Sequence, residues 1–185
     1  MILAKKIANA VLWPMAVSQL LMCKSTNEFG DKSHKVLIKV TQTASYCGGA
    51  RPPDELLNEL RTEKPLAGVD VFIRSGTVNN PEDKILTQAK SDRNGVVALN
   101  LPKGNFYMVF GNKKNRDFSD ELIKTYEVKS ENYSAVNKTC LEEWLKQPEL
   151  LMEIKGQGDS FTVNWNQPCP WHAVPCTSYT GPLPP

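Results

Sequence analysis

Apolar and polar residues alternate through much of this chain at the two-residue period of a half-buried strand. In residues 35–40, Val36, Ile38 and Val40 share one face. Val69, Val71 and Ile73 alternate with Asp70, Phe72 and Arg74. A β-rich run follows at residues 84–90, and after it Val97, Leu99 and Leu101 alternate. Phe106, Met108 and Phe110 make a further face, and residues 150–154 and 161–165 add two more runs. Turn chemistry separates them. Ser91-Asp92-Arg93-Asn94-Gly95 offers Asn94 and Gly95 for positive φ, and Pro102-Lys103-Gly104 predicts a second tight turn. Gly156-Gln157-Gly158-Asp159 predicts a glycine-rich hairpin loop between the last two strands. About seven short strands with such turns predict a mostly β fold, an antiparallel Greek-key β-sandwich.

Two or three short helices interrupt the alternation. Leu56, Leu57 and Leu60 recur at helical spacing in residues 54–61, and a weaker helical piece spans residues 119–124. Thr139-Cys140-Leu141-Glu142 fits a capping box that opens a helix bounded by Pro148. No repeat of solenoid period is present, so one β-sandwich domain is expected over residues 35–167.

The first segment has a different pattern. Lys5 and Lys6 precede a mostly apolar stretch broken by Asn9, Pro14, Ser18 and Gln19. It is too short and too polar for a comfortable membrane span, and residues 1–22 fit a secretory signal peptide. Two processing sites compete. Leu20-Leu21-Met22-Cys23 is similar to a bacterial lipobox, with lipidation of Cys23; Met22 stands where a small residue is preferred. Ala16-Val17-Ser18 fits ordinary secretion. Cysteine parity favours the first, because Cys47, Cys140, Cys169 and Cys176 then remain as an even set for disulfides in an oxidising compartment. Residues 23–34 are polar and predict a tether to the membrane anchor.

Composition narrows the function. The chain has 185 residues and is 41% hydrophobic, enough for one core. Its net charge of +2 lies in Lys5 and Lys6, so residues 23–185 are neutral overall and no nucleic-acid partner is expected. His34 and His172 are the two histidines, which excludes a multi-histidine centre.

Pro65-Leu66-Ala67-Gly68-Val69-Asp70-Val71-Phe72-Ile73 resembles the PLxGVxVxI strand of carboxypeptidase regulatory-like domains. Residues 91–97 are similar to that family's TDxNGxF turn. Leu101-Pro102-Lys103-Gly104-Asn105-Phe106 is similar to its LPxGxY, with Phe106 in place of tyrosine. Order and spacing match over about residues 35–112. The resemblance implies a transthyretin-like (prealbumin-like) sandwich and an accessory module that binds, spaces or stabilises without catalytic residues. Transthyretin-like enzymes, the hydroxyisourate hydrolases, rely on histidines and on a Tyr-Arg-Gly-Ser ending. This chain ends Ser178-Tyr179-Thr180-Gly181-Pro182-Leu183-Pro184-Pro185, so that activity does not carry over. Tyr46-Cys47-Gly48-Gly49-Ala50 and the Cys-rich end also resemble small exported proteins of Bacteroidota.

Residues 168–185 form a Cys- and Pro-rich terminus with six of the 13 prolines, stiff enough to strap a sheet edge with Cys176 pinning it. A metal-dependent hydrolase built on Cys169, His172 and Cys176 is the catalytic alternative, weighed against a disulfide-stapled terminus. A Cys47–His172 nucleophile is a weaker one. Trp171 and Tyr179 are candidate ligand contacts for a carbohydrate-binding role; Trp165, in phase with Phe161 and Val163, is expected in the core, and Trp144 on a packed helix face with Leu141 and Leu145. The expectation is a non-catalytic envelope protein, periplasmic or at the cell surface, lipid-anchored or secreted. It needs no cofactor or metal, and its partner is an envelope protein or a glycan.

Overall fold

The alternating runs become two packed sheets in a computed structural model that describes residues 32–182. The proposed signal peptide, Cys23 and most of the tether lie outside the described residues. The strands are β1 (His34–Ala44), β2 (Lys64–Pro65), β3 (Asp70–Ser75), β4 (Thr87–Lys90), β5 (Val96–Leu101), β6 (Gly104–Phe110), β7 (Leu150–Ile154) and β8 (Ser160–Gln167). Three helices accompany them: α1 (Asp54–Arg61), α2 (Asp117–Thr125) and α3 (Lys138–Lys146). In the first sheet β1 is central. Its one edge takes β5 and the two-residue β2, both antiparallel, and its other edge takes β8 in parallel. The second sheet runs β4-β3-β6-β7, antiparallel throughout.

The β-sandwich expected from the alternation is present, with the inward residues of both sheets forming the core. Val36, Ile38 and Val40 meet Val71, Ile73, Phe106, Met108, Met152 and Ile154 there. Each such side chain contributes about 1.5–3 kcal/mol on leaving water. Two expectations differ. β7 and β8 do not form a hairpin: β7 pairs with β6 in one sheet, and β8 pairs with β1 in the other. Alternation assigns a residue to a face but not a strand to a neighbour, so the loop at 155–159 crosses between sheets. Asp159 closes it, its carboxylate accepting from the Lys155 and Gly156 N–H groups at 2.7 and 3.2 Å. Those two donors hold the Asp159 carboxyl below its ordinary range. The wholly antiparallel expectation also gives way, because β1 and β8 run parallel.

The turn before β5 is another crossing between sheets. Asp92 Oδ1 accepts from the Asn94 and Val96 N–H groups at 2.8 and 2.7 Å. Gly95 alone of the Asn-Gly pair takes positive φ, at 72°. A Cβ there would lie 2.3 Å from the Val40 carbonyl, so the strand above requires glycine.

The second sheet is covered on both faces. Phe72, Arg74, Tyr107 and Val109 point away from the sandwich core and are buried as well. The segment between β3 and β4 lies over them, with α3 and the 3-10 turn at Gly111–Lys113 closing around it. Arg74 organises this layer at 1% exposure. Its Nε donates to the Asp83 carbonyl at 2.9 Å, Nη1 to Asn79 Oδ1 at 2.9 Å, and Nη2 to the carbonyls of Pro81 and Lys114. Asn79 in turn donates through Nδ2 to the carbonyls of Leu145 (2.7 Å) and Lys113 (3.2 Å), and through its backbone N–H to Lys146. The open carbonyls at the end of α3 are thereby satisfied. At its start the cap is Asn137, whose Oδ1 accepts from the Cys140 N–H at 3.0 Å, rather than Thr139. The capping-box residues and Pro148 bracket the helix within two residues, and the choice of cap follows from which side chain the preceding loop brings in line.

A buried ion pair borders the layer. Lys113 Nζ lies 3.0 Å from Glu149, donates to the Gln147 carbonyl at 2.9 Å and sits 4.5 Å from the centre of the Trp144 ring. Burial pushes the Glu149 carboxyl above its ordinary value, partly offset by Lys113.

Two outcomes are expected. Arg74→Met keeps the bulk of the side chain but orphans several buried acceptors, and urea unfolding should show a loss of about 3 kcal/mol or more; a loss below ~0.5 kcal/mol, within surface-mutation range, would contradict the role given to Arg74. For Glu149 the folded pKa exceeds the unfolded one, so the folded state holds the proton more tightly. Its contribution is whole below the ordinary value of 4.5 and disappears as pH rises through the raised folded value. Stability of the wild type relative to Glu149→Gln should therefore fall with rising pH across that window, and a difference that stays flat would refute the shift.

Candidate functional site

Parallel pairing of β1 with β8 carries both strands out of the sandwich at the same end. Ala44 lies opposite Gln167, so Cys47 and Cys169 leave the sheet side by side. They form a disulfide with Cα atoms 5.5 Å apart, and Cys140 and Cys176 form a second at 5.7 Å. Sequence alone permitted three connectivities. The chosen one ties each half of the terminus to a different layer: Cys169 to the end of β1, Cys176 to α3. Such bridges contribute about 2–4 kcal/mol each.

This connectivity removes the ligands from the metal-dependent alternative. Cys169 and Cys176 spend their sulfurs on separate bridges, and His172 is exposed in a 3-10 turn at Pro170–His172. Among the described residues no group of three or more His, Cys, Asp or Glu side chains is placed to hold a metal ion. Cys47 has no thiol with which to act as a nucleophile.

The terminus does not strap a sheet edge. It docks on the segment that joins α2 to α3. Tyr133 and Tyr179 make an antiparallel bridge, the Ser134 N–H donates to the Ser178 carbonyl, and the Asn137 N–H donates to the Cys176 carbonyl. The candidate ligand contacts Trp171 and Tyr179 belong to this latch. Tyr126, Tyr133 and Tyr179 contact in series at 5.5 and 5.3 Å, edge to face, and Trp171 lies 6.5 Å from Tyr179. The Tyr133 hydroxyl donates to the Pro170 carbonyl and that of Tyr179 to the Pro182 carbonyl. Rings that pack on one another this way help to hold the terminus down, and Trp171 and Tyr179 stay half-buried within it. Trp144 does pack as expected, against Phe118 and Lys113 beside the buried Leu141 and Leu145.

Trp165 departs from its expected burial, at 38% exposure. It keeps the inward phase of Phe161 and Val163, but β8 runs past the cover of the second sheet, so the ring stands at the open end of the sandwich. A cleft of about 240 Å³ lies on one side, lined by Leu66, Val69, Phe110 and Asn112. A second, of about 430 Å³, lies beside the Cys47–Cys169 bridge against Ala44, Gln167, Pro168 and Pro170. These walls are largely apolar and suit an apolar group; Ser45 adds a hydroxyl to the second cleft, where its Oγ accepts from Asn166 Nδ2 at 3.1 Å, and no acid or base stands among the lining residues. A clue was present in the sequence: Trp165 lies three residues before Pro168, close to where the strand must end.

Several charged groups elsewhere pair at the surface. Arg116 lies 2.9 Å from Glu142 and 3.5 Å from Glu82, and the hydrogen bond to Glu142 raises its guanidinium pKa further. Glu143 pairs with Lys146 within α3. Glu82, Glu142 and Glu143 are thus solvated partners of basic side chains.

No family model and no curated protein matches this chain. Several solved structures resemble it at low similarity. The Bacillus anthracis TIE protein is 15% identical, with 73% of this chain and 17% of that one covered and a TM-score of 0.33. A variant of the shaft pilin SpaA from Lactobacillus rhamnosus GG is 12% identical, with 74% and 51% covered and a TM-score of 0.38. A variant of BcpA, the major pilin subunit of Bacillus cereus, is 12% identical, with 71% and 30% covered and a TM-score of 0.33. This chain therefore spans about half or less of the length of these three structures.

Proposed function

We propose that the chain is an exported, non-catalytic β-sandwich of the cell envelope with an accessory role, binding or structural, held at the membrane through lipid on Cys23. The observation that carries this reading is the use of the four cysteines after Cys23 in two bridges that brace the terminus against both layers. Such bridges form and persist in oxidising compartments. The charged start and apolar run of residues 1–22 agree with export. The three motifs shared with carboxypeptidase regulatory-like domains agree with an accessory module. The partner is an envelope protein or a glycan, and the Trp165 mouth suits contact with it better than Trp171 and Tyr179, whose rings are committed to the latch.

The intact mass of the protein recovered from its source cells tests this. A species beginning at lipidated Cys23, with Cys47, Cys140, Cys169 and Cys176 unreactive to thiol reagents until reduced, is the expected result. A start just after Ser18 without lipid would replace anchoring by secretion. A chain that keeps residues 1–22 and has all five cysteines reactive would overturn export altogether.

A further inference from the structure

β8 is an edge strand of unusual chemistry. It is eight residues long, Ser160–Gln167, with no charge, proline or glycine. Its Phe161, Val163 and Trp165 face the core side, and Ser160, Thr162, Asn164 and Asn166 face solvent. The bonds that flank the parallel ladder fix its polarity: the Leu37 N–H donates to the Asp159 carbonyl, and the Ser45 N–H to the Gln167 carbonyl. Odd-numbered residues therefore bond to β1. The backbone N–H and C=O groups of Ser160, Thr162, Asn164 and Asn166 point the other way. Among the described residues, none of those backbone groups has a partner.

The other edges are blunted. On the outer edge of β5, Val96 exchanges its backbone groups with Asp92, whose Oδ1 and N–H take them. β4 has four residues and ends in Lys90, paired with Asp70. β7 carries Glu153, paired with Lys155 just beyond the strand. Charge, proline and brevity are the ordinary protections of an edge, and β8 has none of them.

We propose that β8 is a homodimerisation edge, on which a second copy of this chain adds its own β8 antiparallel in a register centred on Val163. In that register Thr162 faces Asn164 and Ser160 faces Asn166 of the other copy, so all four outward-pointing backbone pairs are matched, each residue pair exchanging two hydrogen bonds. Phe161 then lies directly across from Trp165 of the other copy at a closely spaced position, an aromatic pairing along the strand edge that leaves the clefts flanking the indole open. Shifting the centre to Thr162 puts Val163 rather than Trp165 opposite Phe161. Shifting it to Asn164 brings Pro168, which has no N–H, opposite Ser160. In this one register β8 matches its own four outward backbone pairs and its own Phe161–Trp165 spacing without bringing like charges together, and this self-complementarity makes a second copy the occupant. The inference rests on β8 alone and is independent of export or lipidation.

Sedimentation of the purified, oxidised protein tests it. At ~100 µM the mass should be about twice that of one chain, as for an association of micromolar Kd. Thr162→Pro removes a donor that points only at the free edge and should yield a folded monomer. Thr162→Glu, on the exposed face, sets two carboxylates within diagonal reach of each other, ~7–8 Å apart, and should weaken the dimer at least tenfold without touching the donor. Ala98→Lys, at the edge of β5, should leave the dimer intact. A wild type that stays monomeric at this concentration overturns the proposal, and so does a dimer that either Thr162 variant retains at full strength.

Discussion

Parallel pairing of the first and last strands is the constraint from which the rest of this molecule follows. β1 is the central strand of its sheet, with β5 and β2 on one side and β8 on the other. A parallel partner cannot arrive by a tight turn. The intervening chain must first build the second sheet and the helical layer, and β8 then closes the sandwich beside the strand that began it. Contacts between residues 122 apart therefore hold the fold together, as the Cys47–Cys169 bridge does covalently. Non-local pairing of this kind slows folding, because loop closure precedes any gain from the contact.

The same pairing sets the surface chemistry. It brings both strand ends to one side of the sandwich, where the bridge, Trp165 and its two clefts are gathered. It also leaves β8 with one ladder made and one unmade. The second sheet is arranged differently. Its central strands are buried on both faces, and the outer one is sealed by a polar layer centred on Arg74 and Asn79 rather than by apolar packing alone. A guanidinium surrounded by carbonyl and amide oxygens fixes the geometry of a loop that has little regular structure of its own. This layer fixes the end of α3 and the turn at Gly111–Lys113 against the second sheet.

The terminus illustrates how a short constraint replaces a core. Residues 168–182 have little regular structure of their own, yet two bridges and a series of edge-to-face tyrosines hold them against the sandwich end and the helical layer. Cys176, the one non-glycine residue at positive φ among the described residues, sits at this anchor.

Local periodicity determined a good deal by itself. Val36, Ile38 and Val40, or Val97, Leu99 and Leu101, point inward because a strand alternates at every second residue whatever its partners are. The helix of residues 54–61 and the Asp92–Gly95 turn were legible for the same reason, since spacing and turn chemistry act within a few residues. Which strands pair, which cysteines bridge and where an inward-phased residue runs out of cover are long-range facts. Phe161 and Trp165 share one phase, and only the position of the opposite sheet leaves Phe161 half-buried while exposing Trp165. Arg74 was written as an outward residue and became the least accessible of the charged side chains, because a layer built from residues 76–86 and 111–146 covers its face. A sequence records the period of each element; the tertiary structure alone decides what lies across from it, because that depends on chain segments a hundred residues away.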